Sequence, residues 1–350
     1  MKRTAGIVLL VALAVVVLMG AVACGGAPAA APPAKESGKA APVAASKGEA
    51  QIVKFSFGQT LEHPMGVGGK KFGEVLEQKT NGRYKVQLFP VGTLGSEREN
   101  AESIQMGALQ AGLVSSGFSP TFAPDTALIM LPYLFKDRES AYKALDGEGG
   151  ELLNKSWPTG FKALSYYENA GFRHVTNSVR PIVKPEDYKG LKIRVMDNPI
   201  QIAALKKLGA APTPMTISEV YTALQQKVVD GQENPLANIY TTKFYEVQKY
   251  VSLVGMFMDP MIFVVNDKFF NSMSKEDQAA FIEAMKAGRE AGRNFSIQKE
   301  QEYKSLLEKE GMKVNEVDQE AFFQALKPVW SDFTKTDQQK KLVELLSNPK

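Results

Sequence analysis

The chain has 350 residues, of which 44% are hydrophobic and 23% charged, enough apolar content for a large core in two domains and too much for disorder of the whole. Its formal charge of +4 includes Lys2 and Arg3 at the N-terminus, so the remainder has no basic excess of the kind that nucleic acid selects. Two histidines, His63 and His174, and one cysteine, Cys24, are too few for the usual zinc clusters or for an internal disulfide, and no cofactor or metal is expected.

Residues 1–23 read as an export signal. Lys2 and Arg3 form the charged end, Ile7 to Met19 is an apolar run too short for a comfortable membrane span, and Gly20 to Ala23 are small residues ahead of a cleavage point. AVAC (Ala21 to Cys24) has two readings: an ordinary A-x-A cleavage site, or a lipobox whose Cys24 is acylated and becomes the new N-terminus. The lipid is the favoured reading, because a lone exported thiol is a liability. Residues 24–50 then form a tether: from 25 onward they are mostly Ala, Pro, Gly, Lys and Ser, with almost no large apolar side chain to offset the entropy of ordering. As a coil such a segment spans roughly 30 Å, and up to about 80 Å if its prolines keep it extended.

From Gln51 onward strands and helices alternate. Ile52 to Gly58 alternates as a strand, Met65 to Lys79 is a helix ended by Asn81-Gly82, and Arg83 to Pro90 is a second strand. Ser96 with Glu99 forms a capping box that opens a helix to about Gly107, after which ALQAGLVSS returns as a strand. One helix is predicted over Asp137 to Asn154 and another over Asn198 to Leu208, with Pro199 in its first turn and Gly209 past its end. Thr216 and Glu219 cap a further helix that places Val220, Tyr221, Leu224 and Val228 on one face and stops at Gly231. Ile262 to Asn266 is a buried strand, and Ser274 caps a long helical stretch towards Gly311.

Two motifs point to chemistry. GLKIRV (Gly190 to Val195) reads as a short buried strand that presents Arg194, whose planar fork of donors fits a carboxylate bidentately. VDGQENPLAN (Val229 to Asn238) follows about forty residues later, with Asn234 expected in a hinge-facing loop after a helix stop. A bound organic anion is the inference.

Together with GFRHVTNSVRPIVKPEDYKGLKIRV (Gly171 to Val195), KKLGAAPTPMTISEVYTALQQKVVDGQENPLANIYTTKFYEVQKYVSLVG (Lys206 to Gly255) and DPMIFVVN (Asp259 to Asn266), these motifs resemble the extracytoplasmic substrate-binding proteins of TRAP transporters, the DctP-like family. A weaker match runs through His63 to Glu99 and LPYLF (Leu131 to Phe135). The resemblance implies a two-domain α/β fold of the periplasmic-binding-protein kind, with a ligand cleft between domains and a long C-terminal helical stretch. It places 51–170 and about 260–300 in the first domain, and 171–259 and about 301–350 in the second. It also implies capture of one organic acid and delivery to an ion-gradient-driven permease, with no ATP hydrolysis and no chemistry.

Carried over residue by residue, the resemblance makes Arg194 the arginine that pairs with the ligand carboxylate, Asn234 its hydrogen-bonding companion and Arg173 a second arginine nearby. This chain has Ile217 where many members have an aromatic residue, and Asp197 where sialate-type relatives have Asn. Asp197 is a candidate contact that can repel a second acidic group, or else a cap for the helix at Asn198-Pro199. Each residue also has a purely structural reading: Arg194 in a structural ion pair, Arg173 paired with Glu168 or Glu233, Asn234-Pro235 starting a turn. Gln59, at the end of the first strand, lies where α/β proteins expose their sites. Tyr240, Phe244 and Tyr245 read as helix packing.

Enzyme readings fail. GVGGKKFG (Gly66 to Gly73) has Lys71 where a dinucleotide fingerprint needs its third glycine, and no G-x-S-x-G elbow occurs. Alternatives to TRAP delivery are the binding component of an ABC importer or of a sensory system. The acid itself stays open among dicarboxylates, aromatic acids and oxo acids, its room set by Ser115 to Ser119, Met196 to Asn198 and Met256 to Met261.

Overall fold

The computed structural model describes residues 49–349, so the leader, Cys24 and all but the end of the tether lie outside the described residues. The first half opens with strand β1 (Gln51–Ser56), helix α1 (Pro64–Lys79), β2 (Tyr84–Phe89), α2 (Glu97–Met106) and β3 (Ala111–Ser115). Helices α3 (Arg138–Asp146) and α4 (Glu148–Lys155) and strand β4 (Phe161–Tyr167) follow two 3-10 turns. The second half runs β5 (Phe172–Asn177), β6 (Lys192–Val195), α5 (Pro199–Lys207), β7 (Ala211–Pro214), α6 (Ile217–Gln225), β8 (Gly231–Asn234), α7 (Leu236–Thr241) and β9 (Tyr250–Met258). The chain then returns through β10 (Met261–Asn266), α8 (Asp267–Ser272) and α9 (Lys275–Lys309) to β11 (Lys313–Asn315), α10 (Gln319–Phe333) and α11 (Asp337–Ser347).

Two sheets result. In the first, ordered β2-β1-β3-β10-β4, strands β1, β2 and β3 are parallel and β10 runs antiparallel to both its neighbours. In the second, ordered β11-β9-β5-β8-β6-β7, β5 is antiparallel to β8 and β9, while β6 lies parallel to β7 and β8. The chain crosses between sheets three times: from β4 to β5, from β9 to β10, and along α9. This is the α/β two-sheet architecture expected from the sequence.

Local signals behave as the physics predicts. Ser96 Oγ accepts from the Glu99 amide while the Glu99 carboxylate accepts from the Ser96 amide, and Gly107 closes α2 at φ 85°. The core of the first half is an aromatic cluster of Phe55, Phe72, Phe263 and Phe281, all unexposed, with Phe72 and Phe281 edge to face at 5.1 Å. Helix α9 lies on α1 so closely that a Cβ on Gly288 would come within 2.6 Å of the Gly68 carbonyl oxygen, which is why glycine stands at both positions.

Two boundaries depart from expectation. The helix predicted over Asp137 to Asn154 is two helices, because Gly147 is extended (φ −100°, ψ −159°) and the chain turns there tightly enough to bring Gly150 against the Leu145 carbonyl. Helix α6 ends at Gln225, two residues before Lys227 enters the left-handed region at φ 57°, so Val228 falls off its buried face and is half exposed. The residues after it form β8, and Asn234 ends a buried strand instead of standing in a loop. The last helix, α11, packs on α3 and α4, while α10 packs on α5.

Candidate functional site

Strand β6 is central to the site. Arg194, its third residue, pairs in register with Thr213 of β7 and Gln232 of β8, which fixes its backbone between two strands. Its Nε and Nη2 donate to the Met215 carbonyl at 3.0 and 2.6 Å, and the residue is only 1% exposed. Among the described residues no carboxylate pairs with it. Burial pulls its pKa down to about 10, against the fields of Glu233, Glu97 and Asp259. Holding a guanidinium dry without a counter-ion is costly, and the geometry leaves Nη1 and one Nη2 hydrogen free of any protein partner.

Arg173, on β5, is placed differently. Its Nε donates to Glu233 Oε2 at 2.5 Å, Nη2 to Glu233 Oε1 at 2.9 Å, and Nη1 to Asp259 Oδ2 at 3.0 Å. Burial alone would pull its pKa down; Glu233 and Asp259 hold it above the ordinary value. Of the partners open in the sequence, Glu233 is therefore the one it takes, while Glu168 accepts from the Tyr142 hydroxyl at 2.5 Å and pairs with Arg138 at 3.5 Å.

Arg173 Nη2 also donates to Asn234 Oδ1 at 3.0 Å. That oxygen accepts a second bond from Asn238 Nδ2 at 3.1 Å, and Asn234 Nδ2 donates to Gln232 Oε1 at 2.5 Å, leaving one amide hydrogen unused. Asn238 Oδ1 in turn lies 2.7 Å from His63 Nε2, and His63 Nδ1 accepts from the Met65 amide as the cap of α1. Burial draws the His63 pKa down to about 4, so the ring is neutral and its Nε2–H donates to Asn238. His63 is thus a structural relay between the halves, and half-buried His174 stands on β5 opposite Asn234 in the β5–β8 ladder.

These side chains meet at a cavity of about 30 Å³ between the sheets. The first half contributes Gly58, Gln59, Met65, Glu97, Ser115 and Phe118, and Asn169 comes from the crossing segment. The second half contributes Arg173, Arg194, Met196, Ile217 and Asn234. Gln59, Ile217 and the three basic or amide candidates are therefore brought together. Asp197 stands outside this lining, where its carboxylate accepts from Arg98 of α2 at 3.0 Å; the cap of α5 is Asn198, whose Oδ1 accepts from the Ile200 and Gln201 amides. Tyr240 stacks at 5.5 and 5.7 Å on Tyr245 and Tyr303, away from the cavity.

The halves grip each other around it. Asn198 Nδ2 donates to the Ser116 carbonyl at 3.1 Å, and Ser116 Oγ donates to Asp259 Oδ1 at 2.6 Å. Asp259 also accepts from Asn169 Nδ2, so one carboxylate ties the first half, a crossing segment and Arg173 together. Sequence reasoning did not single out Asp259; its signal is an Asp-Pro step between two apolar runs, at the return crossing. Glu97 was missed as well, because an acidic residue in the first turn of a capped helix reads as a solvated dipole partner. Here its carboxyl lines the cavity, accepts from the Ser115 amide at 2.6 Å, and is pushed up to about 7 by desolvation.

Two roomier clefts, of about 400 and 430 Å³, are lined by Ser178, Leu224 and Gln248 and by Leu152, Asp337 and Leu342 respectively, and neither holds a buried arginine. The cavity between the sheets is the one with charge prepared for a ligand.

The sequence matches the family of bacterial extracellular solute-binding proteins, family 7 (DctP), over residues 55–337. It is 44% identical over 272 residues to a solute-binding protein of Verminephrobacter eiseniae, covering 77% of this chain and 81% of that one. It is 35% identical over 279 residues to the 2,3-diketo-L-gulonate-binding periplasmic protein YiaO of Escherichia coli, covering 79% and 85%. Among solved structures, a TRAP periplasmic solute-binding protein from Polaromonas bound to D-erythronate superposes with a TM-score of 0.82 at 36% identity, covering 86% of this chain and 99% of that one. The chain belongs to the DctP family, the non-enzymatic solute-binding proteins of TRAP transporters.

Proposed function

We propose that this protein captures an organic acid in the cavity between its sheets and hands it to the membrane subunits of a TRAP permease. The observation that carries this reading is Arg194, a guanidinium 1% exposed with no carboxylate partner among the described residues, its fork held by one carbonyl. A carboxylate ligand supplies the missing counter-charge and takes two parallel N–H bonds. Asn234 adds its remaining amide hydrogen, and Arg173 fixes Asn234 while offering the second Nη1 hydrogen. Ile217 and Gln59 form the walls, and Asp197 closes the rim through Arg98. The moving halves are taken as 51–170 with about 260–300, and 171–259 with about 301–350 apart from α11, which packs on α3 and α4 of the first half.

The leader and anchor belong to the same proposal: residues 1–23 export the chain and Cys24 takes the lipid, supported by AVAC and by the composition of the segment behind it. Exposure on the outer face of a bacterial membrane, with mobility through the tether, suits delivery to a permease.

The reading is tested by thermal shift and calorimetry against organic acids. A ligand at about 100 times its dissociation constant adds roughly 2.7 kcal/mol of stability, several degrees for a chain of this size. If no carboxylic acid produces such a shift, the acid-binding reading fails.

A further inference from the structure

The second sheet has a cavity end, where Arg173, Arg194 and Asn234 stand, and a far end. The ladders set out the far end as one row: Lys313, Tyr250, Asn177, Gly231, Ile193 and Pro212 lie side by side in register. Lys249 and Lys192 each precede a member of that row and lie farther still from the cavity. The turns at this end add Lys189 and Lys227, and the last turn of α5 adds Lys206 and Lys207. All seven lysines are exposed, and among the described residues none pairs with a carboxylate; the surface pairs Lys243–Glu246 and Lys304–Glu316 use other lysines. Asp230 and Asp187 are turned to the backbone, accepting from the Lys192 amide and from the Val183 and Lys184 amides. The exposed acids of the adjoining turns, Glu186, Glu308 and Glu310, are outnumbered. At the far end of the first sheet the balance differs, because Lys79 pairs with Glu283, Arg83 with Asp277 and Lys85 with Glu77. Apolar surface lies among the unpaired lysines. Val179 and Val228 are 50% and 53% exposed, and Val179 and Lys227 both line the cleft of about 400 Å³ whose walls include Leu224, Val229 and Val247.

We propose that this far end of the second half is a membrane-contact face, on which the lysines meet the phosphates of anionic phospholipid while Val179 and Val228 enter the headgroup layer. Each lysine held near an anionic bilayer strengthens binding by about fivefold, so three or four in contact together give roughly a few hundredfold. That is enough for reversible contact. An acidic protein face satisfies the lysines alone, whereas half-exposed valines set among ammonium groups match the boundary between headgroups and acyl chains. Contact at this end of the sheet also leaves Arg194 and the cavity clear of the bilayer. The face acts whether or not Cys24 is acylated, and it is independent of which solute the cavity takes.

The test uses the exported chain with Cys24→Ser, which carries no acyl group, sedimented with vesicles of phosphatidylcholine or of an equal mixture of phosphatidylcholine and phosphatidylglycerol. At about 0.1 M salt it is expected to bind the anionic vesicles at least about 100-fold more tightly than the neutral ones, and to lose most of that preference at about 0.5 M. Lys192→Glu, Lys227→Glu and Lys313→Glu combined are expected to cut binding to anionic vesicles at least about 100-fold. Lys70→Glu, Lys155→Glu and Lys268→Glu combined, at exposed positions of the first half, change the net charge equally and are expected to cost less than about tenfold. Val228→Trp is expected to add fluorescence that shifts to the blue on anionic vesicles. Absence of a preference for anionic vesicles overturns the proposal, and so do equal losses in the two triple variants or an unshifted Val228→Trp spectrum on vesicles that bind. Binding to soluble polyglutamate but not to vesicles also overturns it, and assigns the face to an acidic protein. Should a triple variant fail to fold, the lipid preference and salt dependence of the chain with its lysines intact still decide the question.

Discussion

Arg173 and Arg194 lie on neighbouring parts of one sheet, and both are almost wholly buried, yet among the described residues only Arg173 of the two has carboxylate partners. That asymmetry separates a structural arginine from one prepared for a ligand. It leads to opposite expectations for two otherwise similar substitutions.

Arg194→Ala is expected to weaken acid binding by roughly 30-fold to a few thousand-fold, the range for truncating one partner of a desolvated, hydrogen-bonded charge pair at about 2 to 5 kcal/mol. Arg194→Lys is expected not to restore it, since an ammonium cannot make two parallel bonds. Arg194→Met removes a charge whose depressed pKa amounts to about 3 kcal/mol against folding, and leaves the Met215 carbonyl unbonded at about 1 to 3 kcal/mol. Its stability in urea is therefore expected to match or exceed that of the native chain. Near-native affinity in the Ala or Lys variant, by calorimetry, removes Arg194 from the site.

Arg173→Ala is expected to damage the fold itself. It strands Glu233 and Asp259, both buried, and frees Asn234 from one of its fixings. Breaking a buried pair from one side costs about 3 to 5 kcal/mol, a large share of ordinary domain stability. Urea unfolding that shows a loss under about 1 kcal/mol contradicts the network described for Arg173.

The contrast also shows what could be read from sequence. Ser96 with Glu99 and Ser274 were legible because a cap is made by residues about three positions apart, whereas the cap of α5, read at Asp197, belongs to Asn198. Arg194 was legible as a candidate through its motif. Whether Arg173 meets Glu168 or Glu233 depends on the pairing of β5 with β8, sixty residues distant, and no local pattern encodes that. Glu97 was invisible for a related reason: its helix is capped as any surface helix is, and only the approach of the second sheet turns its first turn into a cavity wall. The break at Gly147 and the early end of α6 at Lys227 were missed because tertiary packing overrode a continuous helical pattern.

Acid should loosen the protein through His63. Its pKa falls from 6.5 to about 4 in the folded state, so the folded chain resists a proton that the unfolded chain accepts. The contribution is fully present above about pH 6.5 and is lost as pH falls through about 4, amounting to roughly 3 kcal/mol over that window. His63→Gln keeps a donor and an acceptor for Asn238 and Met65 without the titration. Denaturation measured from pH 7 to 4 is expected to show a shallower decline in the variant; equal slopes would mean that His63 is not buried neutral.

In the proposed anchoring, Cys24 sets the location. In Cys24→Ser the residues Ala21 to Ala23 still offer an ordinary cleavage site, so export and acid binding are expected to continue while the protein leaves the membrane fraction. Two acyl chains anchor stably where one does not, so the native protein is expected in the membrane pellet with acyl mass on its N-terminal peptide. Native protein found wholly soluble, without that mass, makes AVA a simple cleavage site.

In the proposed delivery the halves close on the acid, and Gly117 is where that closure can be blocked. A Cβ at Gly117 would stand 2.3 Å from Met196 Sδ and 2.7 Å from Met196 Cβ, so any side chain there wedges the Ser116–Gly117 turn of the first half away from β6 and its extension. The Asn198–Ser116 bond at 3.1 Å and the Arg98–Asp197 pair at 3.0 Å involve the residues next to Gly117 and Met196 and are lost if a wedge parts them. An acid gripped from both sheets shifts the population toward the gripped form by the difference in its affinity for the two forms. The native protein is therefore expected to show a smaller radius of gyration by X-ray scattering at saturating acid. Gly117→Val is expected to bind at least about tenfold more weakly and to show no such contraction. Contraction of both proteins to the same radius would mean that the contact at Met196 does not govern closure, and an unchanged radius in the native protein would mean that the cavity is rigid.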